Sequence, residues 1–141
     1  MKNISIETIN PLDHLQKVSE LLKQLNPEME EAYLKELTQQ MTSYNNYTCF
    51  GLFQNNKLIG IASGWSTVRI YCGKHLELDN VIIDQNLQSN GLGAYFLSEI
   101  EKLTLQNKYQ AIGLNSYTSN SRSHKFYYNQ GFKILGFHFE K

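Results

Sequence analysis

Long hydrophobic runs are missing from this sequence. No window approaches the roughly 18 consecutive apolar residues that a membrane-crossing helix needs. The opening residues, MKNISIETIN, hold no continuous apolar stretch like that of a secretory leader. The expectation is a cytoplasmic protein without a membrane partner. Excess charge of one sign is missing too. Thirteen basic side chains balance thirteen acidic ones, so the basic surface that a nucleic-acid partner demands is not expected. Cysteine is scarce. Cys49 and Cys72 stand alone, and two free thiols are expected rather than a disulfide or a metal site. The histidines, His14, His75, His124 and His138, are scattered and form no metal-ligand pair, so no metal is expected.

What is present is a chain of 141 residues, 41% hydrophobic and 18% charged, which suits one globular domain over 1–141. ISIETI reads as a strand over 3–9. Asn10-Pro11 then opens a helix with Asn10 as cap and Asp13 in its first turn. Leu12, Leu15, Val18, Leu21, Leu22 and Leu25 mark its apolar face. Asn26-Pro27 ends it. A second helix over 28–42 starts on Glu28, Glu30 and Glu31, with Met29, Tyr33, Leu37 and Met41 at four-residue spacing. From there the period becomes two. Strands are expected over 47–54 and 57–70, joined at Asn55-Asn56, and over 75–84 after Cys72-Gly73. A helix over 91–107 buries Leu92, Phe96, Leu97, Ile100 and Leu103. A strand over 109–117, a short helix over 120–130 stopped by Gly131, and a strand over 132–140 follow. The order β-α-α-β-β-β-α-β-α-β combines hairpins with one parallel crossover, an α+β fold on a mixed sheet.

Between the third of those hairpin strands and the long helix lies QSNGLGA, residues 88–94. Neither a phosphate-binding Gly-Lys-Ser/Thr run nor a dinucleotide fingerprint is completed here; Phe96 occupies the position of the third small residue. A Gly-x-Gly turn alone fits a bare strand-to-helix corner as well as a ligand site. Its physics favours an anion, because backbone N–H groups free of Cβ atoms would gather at the positive end of a helix.

The second stretch that matters is NSRSHKFYYNQGF, residues 120–132. Together with VIIDQNLQSNGLGA it resembles the GNAT acyltransferase superfamily. Gln88, Gly91 and Gly93 match the family's Arg/Gln-x-x-Gly-x-Gly/Ala pattern, and Asn120, Phe126, Tyr127, Gly131 and Phe132 match its later signature. The resemblance covers nearly the whole chain. It implies an acetyl-coenzyme A donor held where the strands over 75–84 and 109–117 splay apart. The pantetheine arm would pair with Val81, Ile82 and Ile83. The pyrophosphate would meet the N–H groups of Ser89, Asn90, Gly91, Leu92, Gly93 and Ala94. Gln88 would shape the turn, and Asn120 would contact the arm, cap its own helix, or do both.

The resemblance also implies direct attack by an amine on the thioester. A backbone N–H near Val81 or Ile82 would receive the oxyanion, and Tyr127 would act as general acid toward the thiolate. Without the resemblance, Tyr127 reads first as a core tyrosine of the short helix, flanked by Phe126 and Tyr128. The fifth-strand position where relatives sometimes carry a glutamate is Asn115, which is no base. Asp79 and Glu77 share one face of the preceding strand, and Asp79 is taken as the base or the holder of a cationic acceptor. Trp65, Tyr33 and Tyr71 are expected walls of an acceptor pocket formed by the first two helices. A small cationic amine is the expected acceptor. A peptide N-terminus or lysine side chain, and a non-catalytic acyl-coenzyme A sensor, are the alternatives. The apolar strand over 132–140 is expected to offer an edge for a second copy.

Overall fold

Period-two alternation builds the sheet. The computed structural model describes residues 3–88 and 91–141. Strands β1 (Ile4–Ile9), β2 (Tyr47–Gln54), β3 (Lys57–Arg69), β4 (Gly73–Ile83) and β5 (Ala111–Leu114) lie side by side in chain order. The first three pairings are antiparallel, and β4 and β5 run parallel. Asn55 and Asn56 both take positive φ, 52° and 65°, the conformation a two-residue hairpin turn requires and asparagine tolerates.

Helices α1 (Leu15–Leu25), α2 (Glu31–Thr42), α3 (Leu92–Gln106) and α4 (Ser121–Asn129) cover the two faces. On one face Val18, Leu21 and Leu22 of α1 and Leu34 of α2 pack with Cys49, Phe53, Leu58, Ile61 and Ile82. On the other, Leu92, Phe96, Leu97 and Ile100 of α3 pack with Phe50, Leu52, Leu76, Leu78 and Ile83, and Phe126 and Tyr127 of α4 join them. Asn10 caps the turn before α1, its Oδ1 accepting the Leu12 N–H at 3.0 Å.

Three expectations are corrected. α2 does not bury Tyr33; it buries Leu34 and Thr38. Thr38 can occupy the core because its hydroxyl donates to the Leu34 carbonyl at 2.7 Å. The strand over 109–117 shrinks to Ala111–Leu114. The strand over 132–140 does not form, and Lys133–Lys141 is exposed and irregular. Elsewhere the expected α+β order and the parallel crossover stand.

Candidate acyl-donor cleft and acceptor face

The shortness of β5 opens the site. Its register with β4 runs from His75↔Ala111 to Leu78↔Leu114 and stops. From Asp79 to Ile83, β4 continues without a paired strand on that side among the described residues. A bulge marks the divergence. Asn80 takes φ 52°, and between Ile61↔Ile82 and Ser63↔Asp79 two residues of β4 oppose Ala62 alone. The extra residue reverses the alternation, so Val81 and Ile83 join Leu76 and Leu78 on the α3 side.

Past the bulge the Asp84 N–H donates to the Ile59 carbonyl of β3 at 2.8 Å. By the two-residue alternation of a ladder, Ile82 also turns its backbone to β3, and Val81 and Ile83 turn theirs toward the opening. The Ile83 carbonyl already accepts Gln88 Nε2 at 2.9 Å. Gln88 thus shapes the loop. The Val81 and Ile83 N–H groups are left as the donors facing the split.

At the cleft's far end, each glycine has its own cause. Gly91 sits at φ 75° as the N-cap of α3, a conformation costly for a side chain. A Cβ on Gly93 would lie 3.3 Å from the Phe126 ring, so Gly93 lets α4 close on α3. Among the described residues no side chain caps α3. The N–H groups of Leu92, Gly93 and Ala94, in the first turn, have no intrahelical acceptor and sit at the positive end of a 15-residue helix. Ser89 and Asn90, expected among the phosphate-binding residues, lie outside the described residues.

The turn is held from behind. Asp84 accepts Lys17 Nζ at 2.9 Å, Gln24 Nε2 at 3.3 Å and the Asn86 N–H at 3.2 Å. Gln24 Oε1 also accepts the Gln85 N–H at 2.9 Å. The Lys17 hydrogen bond is the main reason that the Asp84 carboxyl sits below the ordinary carboxylate range. A depressed carboxylate stabilises the fold above its unfolded value of about 3.9, and that contribution is lost as pH falls through the lower folded value. Asp84→Asn is expected to cost about 1 kcal/mol at neutral pH, limited by the solvent around half-exposed Lys17. Urea midpoints at pH 7 and pH 3 check it: the variant's deficit shrinks in acid.

Tyr127 lies half-buried on α4, its ring edge-on to Phe126 at 5.4 Å and to Phe132 at 5.7 Å. Burial raises its phenol above the usual value. Its hydroxyl has no hydrogen-bond partner among the described residues and is not among the sealed polar atoms. Asn120 caps α4, Oδ1 accepting the Ser123 N–H at 3.2 Å.

The α1–α2 face of the sheet carries the remaining chemistry. Register sets Tyr47, Trp65 and Glu77 in one row across β2, β3 and β4, and Cys49, Ser63 and Asp79 in the next. Trp65 meets Tyr47 at 5.0 Å and Tyr44 at 5.8 Å between ring centres. The Tyr47 hydroxyl pairs with Ser63 Oγ at 3.0 Å, and burial holds its phenol protonated far above neutral pH. Burial pushes the Cys49 thiol up to about 11, which leaves it a poor nucleophile. Glu77 stands 3.7 Å from Arg69 and 3.8 Å from His75. Burial raises its carboxyl and outweighs the opposing Arg69 charge. Asp79 is exposed one residue past the last β4–β5 pair, Leu78↔Leu114, its Oδ1 accepting the Asn80 N–H at 3.0 Å. Tyr33 and Tyr71 are exposed, and Tyr71 is bound to Arg69 instead. Tyr44 and Tyr47 were missed; their signal lay in the hairpin register.

The profile of the Acetyltransferase (GNAT) family matches residues 15–132. Solved structures share the fold over almost their full length. A GNAT family acetyltransferase from Staphylococcus aureus subsp. aureus USA300_TCH1516 is 19% identical, with 99% of this chain and 98% of that one covered and a TM-score of 0.79. An aminoglycoside N-acetyltransferase solved with CoA is 15% identical, covered over 98% and 94%, with a TM-score of 0.80. An aminoglycoside acetyltransferase from an uncultured soil metagenomic sample, solved with sisomicin, is 13% identical, covered over 99% and 95%, with a TM-score of 0.78. No curated protein matches in sequence.

Proposed function

The chain belongs to the Acetyltransferase (GNAT) family and is an acyltransferase, and from that premise we propose that it moves an acetyl group from acetyl-coenzyme A to a primary amine of a small cationic molecule. The observation that carries this reading is the split after Leu78 and Leu114, with the Gly91-capped start of α3 at its end. The pantetheine arm lies along Val81 and Ile83, beside Ile82. The pyrophosphate meets the amides at Gly91, Leu92, Gly93 and Ala94, together with Ser89 and Asn90. Asn120, whose Oδ1 is engaged as a cap, offers its amide N–H groups to the arm.

The acceptor approaches over Trp65 and Tyr47, whose faces attract a cation. Glu77 and Asp79 supply negative charge beside them. Asp79 takes the proton that an alkylamine, with pKa about 10.4, must lose before it attacks. The Val81 N–H receives the charge on the thioester oxygen, and Tyr127 protonates the departing sulfur. No enzyme nucleophile is used. The solved aminoglycoside acetyltransferases agree in fold and point toward polyamine-like or amino-sugar acceptors. We also take residues 1–141 as one cytoplasmic N-acetyltransferase domain that binds neither metal nor nucleic acid nor membrane.

The test mixes protein, acetyl-coenzyme A and a panel of amines, and follows free thiol. Turnover on small cationic amines supports the reading. Turnover only on peptides moves the acceptor class. Stabilisation by coenzyme A without turnover on any amine makes the chain a sensor. Within an active pair, Asp79→Asn is expected to lower kcat by about 10²-fold. Glu77→Gln is expected to raise KM for the amine more than it lowers kcat. Unchanged kcat in Asp79→Asn excludes it as base.

A further inference from the structure

His75 takes no part in the chemistry proposed for the acceptor face, yet it is buried within it. It lies on β4 two residues before Glu77, on the same face, one row nearer the hairpin end than Tyr47, Trp65 and Glu77. The residue is only 5% exposed, and among the described residues its Nδ1 has no hydrogen-bond partner. The hydroxyl of Thr67, its partner across the ladder, is sealed and unsatisfied as well. Folded chains rarely leave such atoms without a cause. The other end of the ring supplies one. Nε2 stands 3.8 Å from Glu77 Oε1. β5 makes room for that contact. A Cβ on Gly113, the partner of Glu77, would come within 2.7 Å of Nε2 and 3.5 Å of Oε1 and crowd both.

Burial first, and then the Arg69 charge, hold the His75 imidazole below its ordinary range. At neutral pH the ring is therefore uncharged and carries one N–H. A proton on Nδ1 would be a sealed donor without an acceptor and would turn the Nε2 lone pair toward a carboxylate. A proton on Nε2 meets that carboxylate instead. The contact is longer than a hydrogen bond, and contacts of this kind commonly tighten when substrate arrives. Arg69 Nη2 reaches the same oxygen at 3.7 Å. Both partners lie toward the hairpin end of Glu77, away from Asp79 and the split. We propose that His75 is a positioning residue for the acceptor: while neutral it holds the Glu77 carboxylate for the incoming ammonium group, and once protonated it competes with that group for the same carboxylate. The inference rests on the reading of Glu77 as part of the acceptor face. Around the pair stand Arg69 on β3, Asp79 on β4 and His138 in the segment after α4, while β5 offers the uncharged Ala111 and Gly113. An alkylamine with pKa about 10.4 stays charged throughout the acid range, so its own ionisation does not shape that limb. Proton and ammonium oppose each other, and KM for the amine rises as pH falls below about 6.5, through the lowered range of the ring.

The test compares two substitutions in a His138→Gln background, which removes the imidazole of the last segment. Glutamine keeps an N–H donor near the Nε2 position but cannot gain a proton; leucine keeps neither property. With a cationic amine at about pH 8, His75→Gln is expected to hold KM within about two-fold of the parent, and His75→Leu to raise it about 10-fold with kcat nearly unchanged. Toward acid, His75→Gln is expected to lose the rise in KM that the ring causes and keep only the rise that protonation of Glu77 sets. The titration of the ring needs neither donor nor amine. In nitrogen-15 spectra, with the His75 signals identified by their loss in His75→Gln, the Nε2–H tautomer is expected at neutral pH. In Glu77→Gln the ring is expected to titrate about one pH unit lower, because the attracting charge is gone. No turnover on any amine strikes the acceptor reading, and the spectra then decide the pair alone. An Nδ1–H tautomer or a midpoint unmoved by Glu77→Gln overturns the inference. So does an acid rise in KM that survives unaltered in His75→Gln, or an unchanged KM in a folded His75→Leu.

Discussion

Tyr127→Phe lowers kcat by about 10²–10⁴-fold, the span of one general acid, while folding and donor binding persist. The oxygen and the ring have separable tasks. The ring holds α4 through edge contacts with Phe126 and Phe132 and packs on the α3 side of the sheet. None of those contacts needs the hydroxyl, which has no partner among the described residues. Its removal strands no buried donor or acceptor, so the stability change stays within about 0.5 kcal/mol. Burial raises the phenol further above its ordinary value, so it stays protonated through the neutral range and contributes no alkaline limb there. Thiol release gives kcat, and thermal shifts with and without coenzyme A give the controls. Unchanged turnover removes Tyr127 from the reaction.

How far the sequence spoke depended on whether a feature was local. Asn10 as a cap, the Asn55-Asn56 turn and the existence of β2 are decided by neighbouring residues, and all were legible. The bulges were not, because an extra residue shows only when the partner strand is known. A plain count from Asn55-Asn56 sets Tyr47 opposite Gly64. The shift between Leu52 and Phe53 moves it opposite Trp65, and that assembles the aromatic wall. The bulge at Asn80 hid in the same way, although it turns Val81 toward the split. The buried face of α2 was misread because Thr38 satisfies its own hydroxyl and passes for an apolar residue. Residues 132–140 were read as a strand from a real alternation, but a strand needs a partner, and no ladder joins them to another strand among the described residues. The glycine turn was legible as a shape. Gly93's packing against Phe126 joins two helices that only the fold brings together.

Gly91→Val is expected to weaken coenzyme A binding by about 10²–10³-fold, whereas Gly91→Asn keeps most of it. Gly91 holds φ 75°, where a β-branched residue clashes with its own backbone, and forcing it there costs about 1–3 kcal/mol. The chain can escape that cost by swinging the turn back to negative φ. The first amides of α3 then no longer converge, since Gly91 is the N-cap and no side chain among the described residues stands in for it. Two lost hydrogen bonds to a charged phosphate, at about 1.5–3 kcal/mol each, carry the predicted loss at about 1.4 kcal/mol per decade. Asparagine enters the left-handed region far more readily, as Asn55, Asn56 and Asn80 of this chain do, so the turn and its donors survive. Calorimetric titration of both variants with coenzyme A separates the causes. Equal losses mean that the missing Cβ matters for ligand approach and not for φ. No loss in either places the pyrophosphate elsewhere.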